Sequence, residues 1–315
     1  MELLGIKFAP LFVPMERRLQ TLAAAAWFIL FVFGGFVGWI LVYHVLFTRF
    51  YPLAILYLLW MAYDQKVYIH GGRRSEWVRN WSCWHYMREY FPIGLVKLED
   101  LPADKNYLFC GYPHGMLCSG AFGNFVAASP EFKRLFPGLP PTSSLSTSTS
   151  TCPSSARSCS SSRESMTYLL GHPEKGKAVV LMVGGASESL YCHPGSYKII
   201  LKRRKGFIRV ALETGNAPLV PVFSFGKRIT LKKVLGVAPC IPLGRGIFQY
   251  SFGIAPRRTP ITTVVGRPIM LPQEPNPSNE LVDKYHKIFM EELMELFEAH
   301  KGKYLEDPKT KLIIE

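Results

Sequence analysis

Acid is what this chain is short of. Asp and Glu together number 23 against 37 Lys and Arg in 315 residues, and charged residues of all four types make up only 19%, below the roughly 25% of an ordinary soluble domain. The resulting formal charge of +14 and pI near 9.5 exclude an acidic solvating chain and suit nucleic acid, anionic lipid or a phosphate-bearing substrate equally well. Regular cysteine spacing is also missing. Cys83, Cys110, Cys118, Cys152, Cys159, Cys192 and Cys240 include no Cys-x-x-Cys pair and no framework pattern. That argues against a zinc site or a disulfide scaffold and for a reducing compartment, so no metal is expected.

What the chain has in excess is grease. Hydrophobic residues reach 48% and the mean hydropathy is +0.11, a balance that points to a membrane. From Leu22 to Phe47 run twenty-six residues whose only ionisable groups are Tyr43 and His44, and a helix needs about 20 apolar residues to cross a bilayer. The run is longer than the h-region of a signal peptide and carries Trp39 and Tyr43 near its end, as a retained anchor does. A second run, Phe50 to Tyr63, is fourteen residues long, too short for an upright crossing, so the two predict a hairpin of tilted helices or a re-entrant unit. Arg17 and Arg18 precede it and Lys66, Arg73 and Arg74 follow it, which places both flanks, and both termini, in the cytosol. The division expected is therefore a cytosolic segment over residues 1–20, a membrane hairpin over 21–63 and a cytosol-facing domain over 64–315.

The domain opens on a stretch that mixes Arg73, Arg74, Arg79 and Arg88 with Trp77, Trp81, Trp84, Tyr86 and Tyr90 at helical spacing. It is read as an interfacial amphipathic helix, with lipid favoured over nucleic acid as its partner because the hairpin precedes it. Short apolar runs follow, "KNYLFCGY", "KAVVLMVGG", "APLVPVFSFG" and "PITTVVGRPI", each bounded by Gly or Pro and read as a buried strand. Helical stretches such as "YKIILKRRKGFIRVALETG" lie between them, and an α/β layered domain follows. A final helix over residues 279–300 lines up Leu281, Tyr285, Ile288, Phe289, Leu293, Leu296 and Phe297 on one stripe and packs on that domain. Residues 140–162 stand apart. Fifteen of the twenty-one residues from Thr142 to Ser162 are Ser or Thr, a composition too poor in large apolar groups to offset its own ordering entropy, so a disordered segment is expected.

Three places could carry chemistry. Pro113, His114 and Gly115 form a tight turn directly after an apolar strand, which leaves an imidazole at a strand end with small neighbours. Gly184 and Gly185 repeat the device after the next such strand, and Glu188 adds a carboxylate. In open α/β sheets ligands gather beyond the carboxyl ends of strands, where both would lie. Lys202, Arg203, Arg204, Lys205 and Arg209, around the turn at Gly206, form a cationic cluster suited to phosphates, or equally to a solvated face.

Taken in order, "PHG" at 113–115, "GAFGNF", "VGGASES", "RKGFIRVAL", "VPVFSFG", "GRGIFQYSFG" and "LFEAHKGKY" resemble the diacylglycerol O-acyltransferase type 2 family, and within it the 2-acylglycerol O-acyltransferases. The resemblance implies a glycerolipid-acyltransferase-like α/β catalytic domain on an endoplasmic-reticulum membrane hairpin. It also implies transfer of a fatty acyl group from acyl-CoA, a co-substrate, to monoacylglycerol, with no further cofactor and no nucleic-acid partner. Diacylglycerol and long-chain alcohols remain rival acceptors, and oligomerisation with itself or a relative is left open. On this reading His114 is the general base, Glu188 orients it or positions the acceptor, and Pro113, Gly115, Gly184, Gly185, Arg204, Lys205 and Gly206 bind substrate. The family's turn reads His-Pro-His-Gly, and Tyr112 replaces the first His. An impaired membrane-bound partner subunit is the competing reading that this replacement brings.

Overall fold

The computed structural model describes the chain except residues 1, 4, 5, 11, 65, 66, 71, 73, 74, 115–117, 144–162, 186, 187, 189–196, 216, 227–230, 233–240, 243, 247 and 254. Eight strands organise the domain: β1 (Ile93–Lys97), β2 (Tyr107–Tyr112), β3 (Pro141–Ser143), β4 (Ala178–Met182), β5 (Tyr197–Ile199), β6 (Leu219–Gly226), β7 (Ile261–Val265) and β8 (Leu312–Ile314). Six of them form one sheet in the order β1-β7-β6-β2-β4-β3. Neighbours are parallel throughout except β6 and β7. Parallel strands covered on both faces read as unbroken apolar runs, and every residue of β2 and β4 is buried.

Alternation along β2 assigns the two faces. Leu108, Cys110 and Tyr112 pack with α5 (Arg163–Gly171), α6 (Gly206–Thr214) and α7 (Asn279–Tyr304), while Tyr107 and Phe109 face Phe125, Phe132 and Phe136. Phe132 belongs to α4 (Pro130–Leu135), and Phe125 to a π-helical turn over Phe122–Val126. Asn124, fully buried on that turn, donates to Thr263 Oγ1 at 3.0 Å and to the Gly94 carbonyl at 3.3 Å, which pins the turn to the sheet. The four strand runs picked out in the sequence are β2, β4, β6 and β7, and the last helix starts at its expected residue, capped by Ser278 Oγ, which accepts from Leu281 N–H at 3.2 Å.

One expected helix is corrected. The stretch beginning at Tyr197 is not helical until Gly206: Tyr197–Ile199 is a strand paired in parallel with Leu312–Ile314. Main-chain bonds of 2.7 Å from Leu201 and Lys202 N–H to the Glu315 carbonyl extend that pairing. The partner lies more than a hundred residues away, so no local periodicity reports it.

The N-terminal apolar region folds as two helices, α1 (Met15–Leu46) and α2 (Tyr51–Asp64), joined by a short turn. Among the described residues no single helix is long and apolar enough to cross a membrane. The parts Met15–Phe31 and Phe33–Leu46, bent by 62° from one another, are so when taken together. The first part is docked: Ala24, Trp27 and Phe28 are buried against Met87, Tyr90, Phe91 and Ile93. Its base is clamped as well, since Arg245 donates to Thr21 Oγ1 at 2.9 Å and to Tyr90 Oη at 3.0 Å. The expected interfacial helix is divided in two, Glu76–Arg79 and α3 (Ser82–Tyr90). Its Met87 and Tyr90 serve the α1 contact, while Trp77 and Trp81 remain exposed. Of the Ser/Thr-rich tract, residues 141–143 are the edge strand β3, and 144–162 lie outside the described residues.

Candidate active site

The parallel pairing of β2 and β4 sets Gly111 opposite Met182, so the segments that leave the two strands emerge side by side. One carries Pro113 and His114, the other Gly184, Gly185 and Glu188. The Glu188 carboxylate is fully buried, and its two oxygens are shared between two main-chain donors. Oε2 accepts from the His114 N–H, and Oε1 accepts from the Ile200 N–H at 3.0 Å. Glu188 thus ties the histidine turn to the end of β5 through the backbone of His114, and the imidazole itself is only partly buried. A third contact finishes the turn: the Cys118 thiol donates to the His114 carbonyl at 3.0 Å.

Both glycines of the second segment have steric work. A Cβ at Gly184 would overlap the Glu188 carboxyl group, so only glycine lets that carboxylate fold back over the chain. Gly185 adopts φ +63°, a left-handed conformation that side chains disfavour. Arg204 Nη2 stands 4.0 Å from the position a Cβ would take at Gly185, so the guanidinium reaches the same corner as His114 and Glu188.

The cationic cluster divides. Lys205 pairs with Asp283 of α7 at 2.6 Å, and Arg209 donates to the Pro277 carbonyl at 3.1 Å and to Asn279 Oδ1 at 2.7 Å. These two fasten the start of α6 to α7, while Arg204 turns toward the glycines. Gly206 is the first, exposed residue of α6. Pro113 follows Tyr112 through a cis peptide bond, and Gly115 lies outside the described residues.

Tyr112 belongs to the core. Its ring is fully buried 6.3 Å from that of Phe289, and its hydroxyl finds no hydrogen-bond partner among the described residues. Burial, reinforced by the neighbouring Cys110 and Glu188, pushes its phenol well above the ordinary value, so it stays neutral. Position 112 therefore supplies packing behind the site.

Sequence reasoning missed His286 and Asp283, which support the approach to Arg204 from α7. His286 is 3% exposed, its Nε2 lies 3.1 Å from the Leu201 carbonyl, and burial lowers its pKa. The signal was present in the spacing Val282, His286, Phe289, Leu293, the buried stripe of α7, in which a histidine holds an apolar position.

A histidine at a strand end, a buried carboxylate holding its backbone and a nearby guanidinium thus meet at one corner beyond the sheet. Comparison with known proteins supplies the class. Residues 43–315 match the profile described as diacylglycerol acyltransferase, and the chain belongs to that family. It is 42% identical to 2-acylglycerol O-acyltransferase 1 of Bos taurus over 95% of this chain and 96% of the relative. It is 41% identical to human 2-acylglycerol O-acyltransferase 3, covering 91% of each. It is also 41% identical to diacylglycerol O-acyltransferase 2-like protein 6 of Bos taurus, over 92% of this chain and 94% of that one.

Proposed function

We propose that this protein transfers a fatty acyl group from acyl-CoA to the hydroxyl of monoacylglycerol, giving diacylglycerol, with His114 as general base. The observation that carries the reading is the hydrogen bond from the His114 N–H to the buried Glu188, beside the Gly184–Gly185 turn and Arg204. A thioester is already activated, so the enzyme has to remove the acceptor's proton, hold the reactants in line and stabilise the tetrahedral oxyanion. The imidazole takes the hydroxyl proton as the oxygen attacks the thioester carbonyl carbon. The oxyanion collapses, the carbon–sulfur bond breaks, and the departing CoA thiolate recovers the proton from the imidazolium. No acyl-enzyme is needed. Glu188 acts here as a positioning residue, and Arg204 is the cation best placed to meet an anionic portion of acyl-CoA.

The acceptor rests on the names of relatives, which at 41–42% identity divide between 2-acylglycerol O-acyltransferases and a diacylglycerol O-acyltransferase 2-like protein. Monoacylglycerol is the preferred acceptor on this reading, with diacylglycerol and long-chain alcohols as the alternatives. The exposed apolar faces of the second part of α1 and of α2 fit a membrane hairpin of the endoplasmic reticulum with both termini cytosolic. Microsomes containing the chain, supplied with labelled acyl-CoA and a panel of acceptors, test the reaction and its acceptor. Labelled diacylglycerol from monoacylglycerol is expected. Preferential turnover of another acceptor would replace the substrate, and no turnover by a folded, inserted chain would overturn the reading.

A further inference from the structure

Away from the active site, the short helix Glu76–Arg79 and the start of α3 enclose an open hollow of about 460 Å³, lined by Glu76, Trp77, Asn80, Trp81 and Ser82. Two indoles form its walls. Trp77 and Trp81 meet at 89° with ring centroids 5.0 Å apart, and Trp81 stacks on Trp84 at 6.3 Å. The corner is held from below, because Trp84 donates its indole N–H to the Val78 carbonyl at 2.7 Å and sets its edge against Phe122 at 5.0 Å. Trp77 is nonetheless 74% exposed. The Trp77 indole, set edge to face with Trp81, leaves open π surface beside the hollow for a guest.

We propose that this corner binds the choline headgroup of phosphatidylcholine. A quaternary ammonium has no N–H to hydrogen-bond, spreads its charge over methyl groups and is attracted to the faces of tryptophan. Charge complementarity points the same way. In a chain of net charge +14 the polar wall of the hollow carries a carboxylate, Glu76, which also faces Arg79 Nη1 at 3.4 Å and keeps 54% of its side chain exposed. The position supplies the lipid. Trp84 reaches α1 through Phe122, whose ring lies 5.5 Å from Trp27, and Trp27 sits just before the bend beyond which α1 exposes Phe36, Val37, Ile40 and Leu41. The hollow therefore lies at the root of the exposed apolar arm, the level at which headgroups meet the protein if that arm enters a bilayer. The proposal rests on the membrane part of the functional reading for the source of its ligand, and on nothing about catalysis.

The test uses the intact chain in dodecyl maltoside, titrated with glycerophosphocholine and, at equal ionic strength, with glycerophosphoethanolamine, while indole fluorescence is followed. These probes are water-soluble, so binding is measured without membrane insertion and without acyl transfer. A saturable response to the choline compound is expected, with about three- to tenfold weaker binding of the ethanolamine compound. Trp77→Ala, at an exposed position that leaves the fold intact, abolishes saturation, Trp81→Phe weakens it and Glu76→Gln weakens it less. Equal responses to the two probes would overturn the proposal, and so would an unchanged titration in Trp77→Ala with the melting temperature of the parent.

Discussion

Ala23–Phe31 and Phe33–Leu46 are consecutive stretches of one helix with the same apolar character, and they meet opposite surroundings. Trp27 is 4% exposed and Phe28 fully buried, whereas Phe36 is 72% and Leu41 59% exposed. Hydropathy says only that something must cover a surface. What covers the first stretch is written elsewhere in the chain, in the aromatic face of α3 and in the Arg245 clamp on Thr21 and Tyr90. The second stretch meets α2 but has no comparable aromatic cover among the described residues, and the proposed function gives its exposed face to lipid. The lesson extends to the site, where residues held by the fold differ from residues merely carried on its surface.

Substitution on either side of the bend sharpens the contrast most. Trp27→Ala is expected to destabilise the domain by about 3–5 kcal/mol, the usual range for truncating a buried aromatic. Leu41→Ala should leave the melting temperature in detergent almost unchanged, because it removes contacts with surrounding solvent or lipid only. Thermal unfolding of both variants in the same detergent provides the check. Equal losses would mean that the two stretches are packed alike, and the comparison would fail.

Glu188 is next. Glu188→Ala leaves the partly buried His114 and Ile200 N–H groups without their carboxylate, at roughly 1.5–3 kcal/mol for each lost hydrogen bond to a charged group. The turn then loses its alignment, and kcat is expected to fall more than KM rises. Glu188→Gln keeps one amide oxygen as acceptor and should recover part of both losses. A Gln variant no better than Ala in stability and rate would remove the backbone-holding role.

The smallest effect concerns His286, whose pKa burial depresses in the folded protein. The unfolded chain then binds a proton more readily than the native one, so stability declines as the pH falls from the ordinary histidine value of about 6.5 and levels off below the lowered native value. His286→Gln should flatten that shallow acid-side slope in pH-dependent unfolding. An unaltered slope would assign it to other groups.

The same contrast between held and carried residues explains what could be read in advance. β2, β4, β6, β7 and α7 were legible because largely buried strands and a long amphipathic helix stamp their patterns on local sequence. The side-by-side placement of His114 and Glu188 was legible too, from glycine turns following consecutive apolar runs. β5 and β8 were not, since each is three residues long and each finds its partner far along the chain. Nor could sequence tell that Glu188 holds the main chain of His114, that Lys205 is engaged by Asp283, or that Tyr112 faces α7. Those facts depend on which way a side chain turns once distant elements have met.

The central claim is that the imidazole of His114 performs the proton transfer. It is tested most directly by acyl-CoA-dependent acylation of monoacylglycerol in the His114→Ala variant, with membrane insertion and melting temperature measured on the same preparation. The account predicts a loss on the order of 10²-fold or more in turnover at parental stability, as removal of a general base does. A folded, inserted His114→Ala protein that acylates at the parental rate would contradict it.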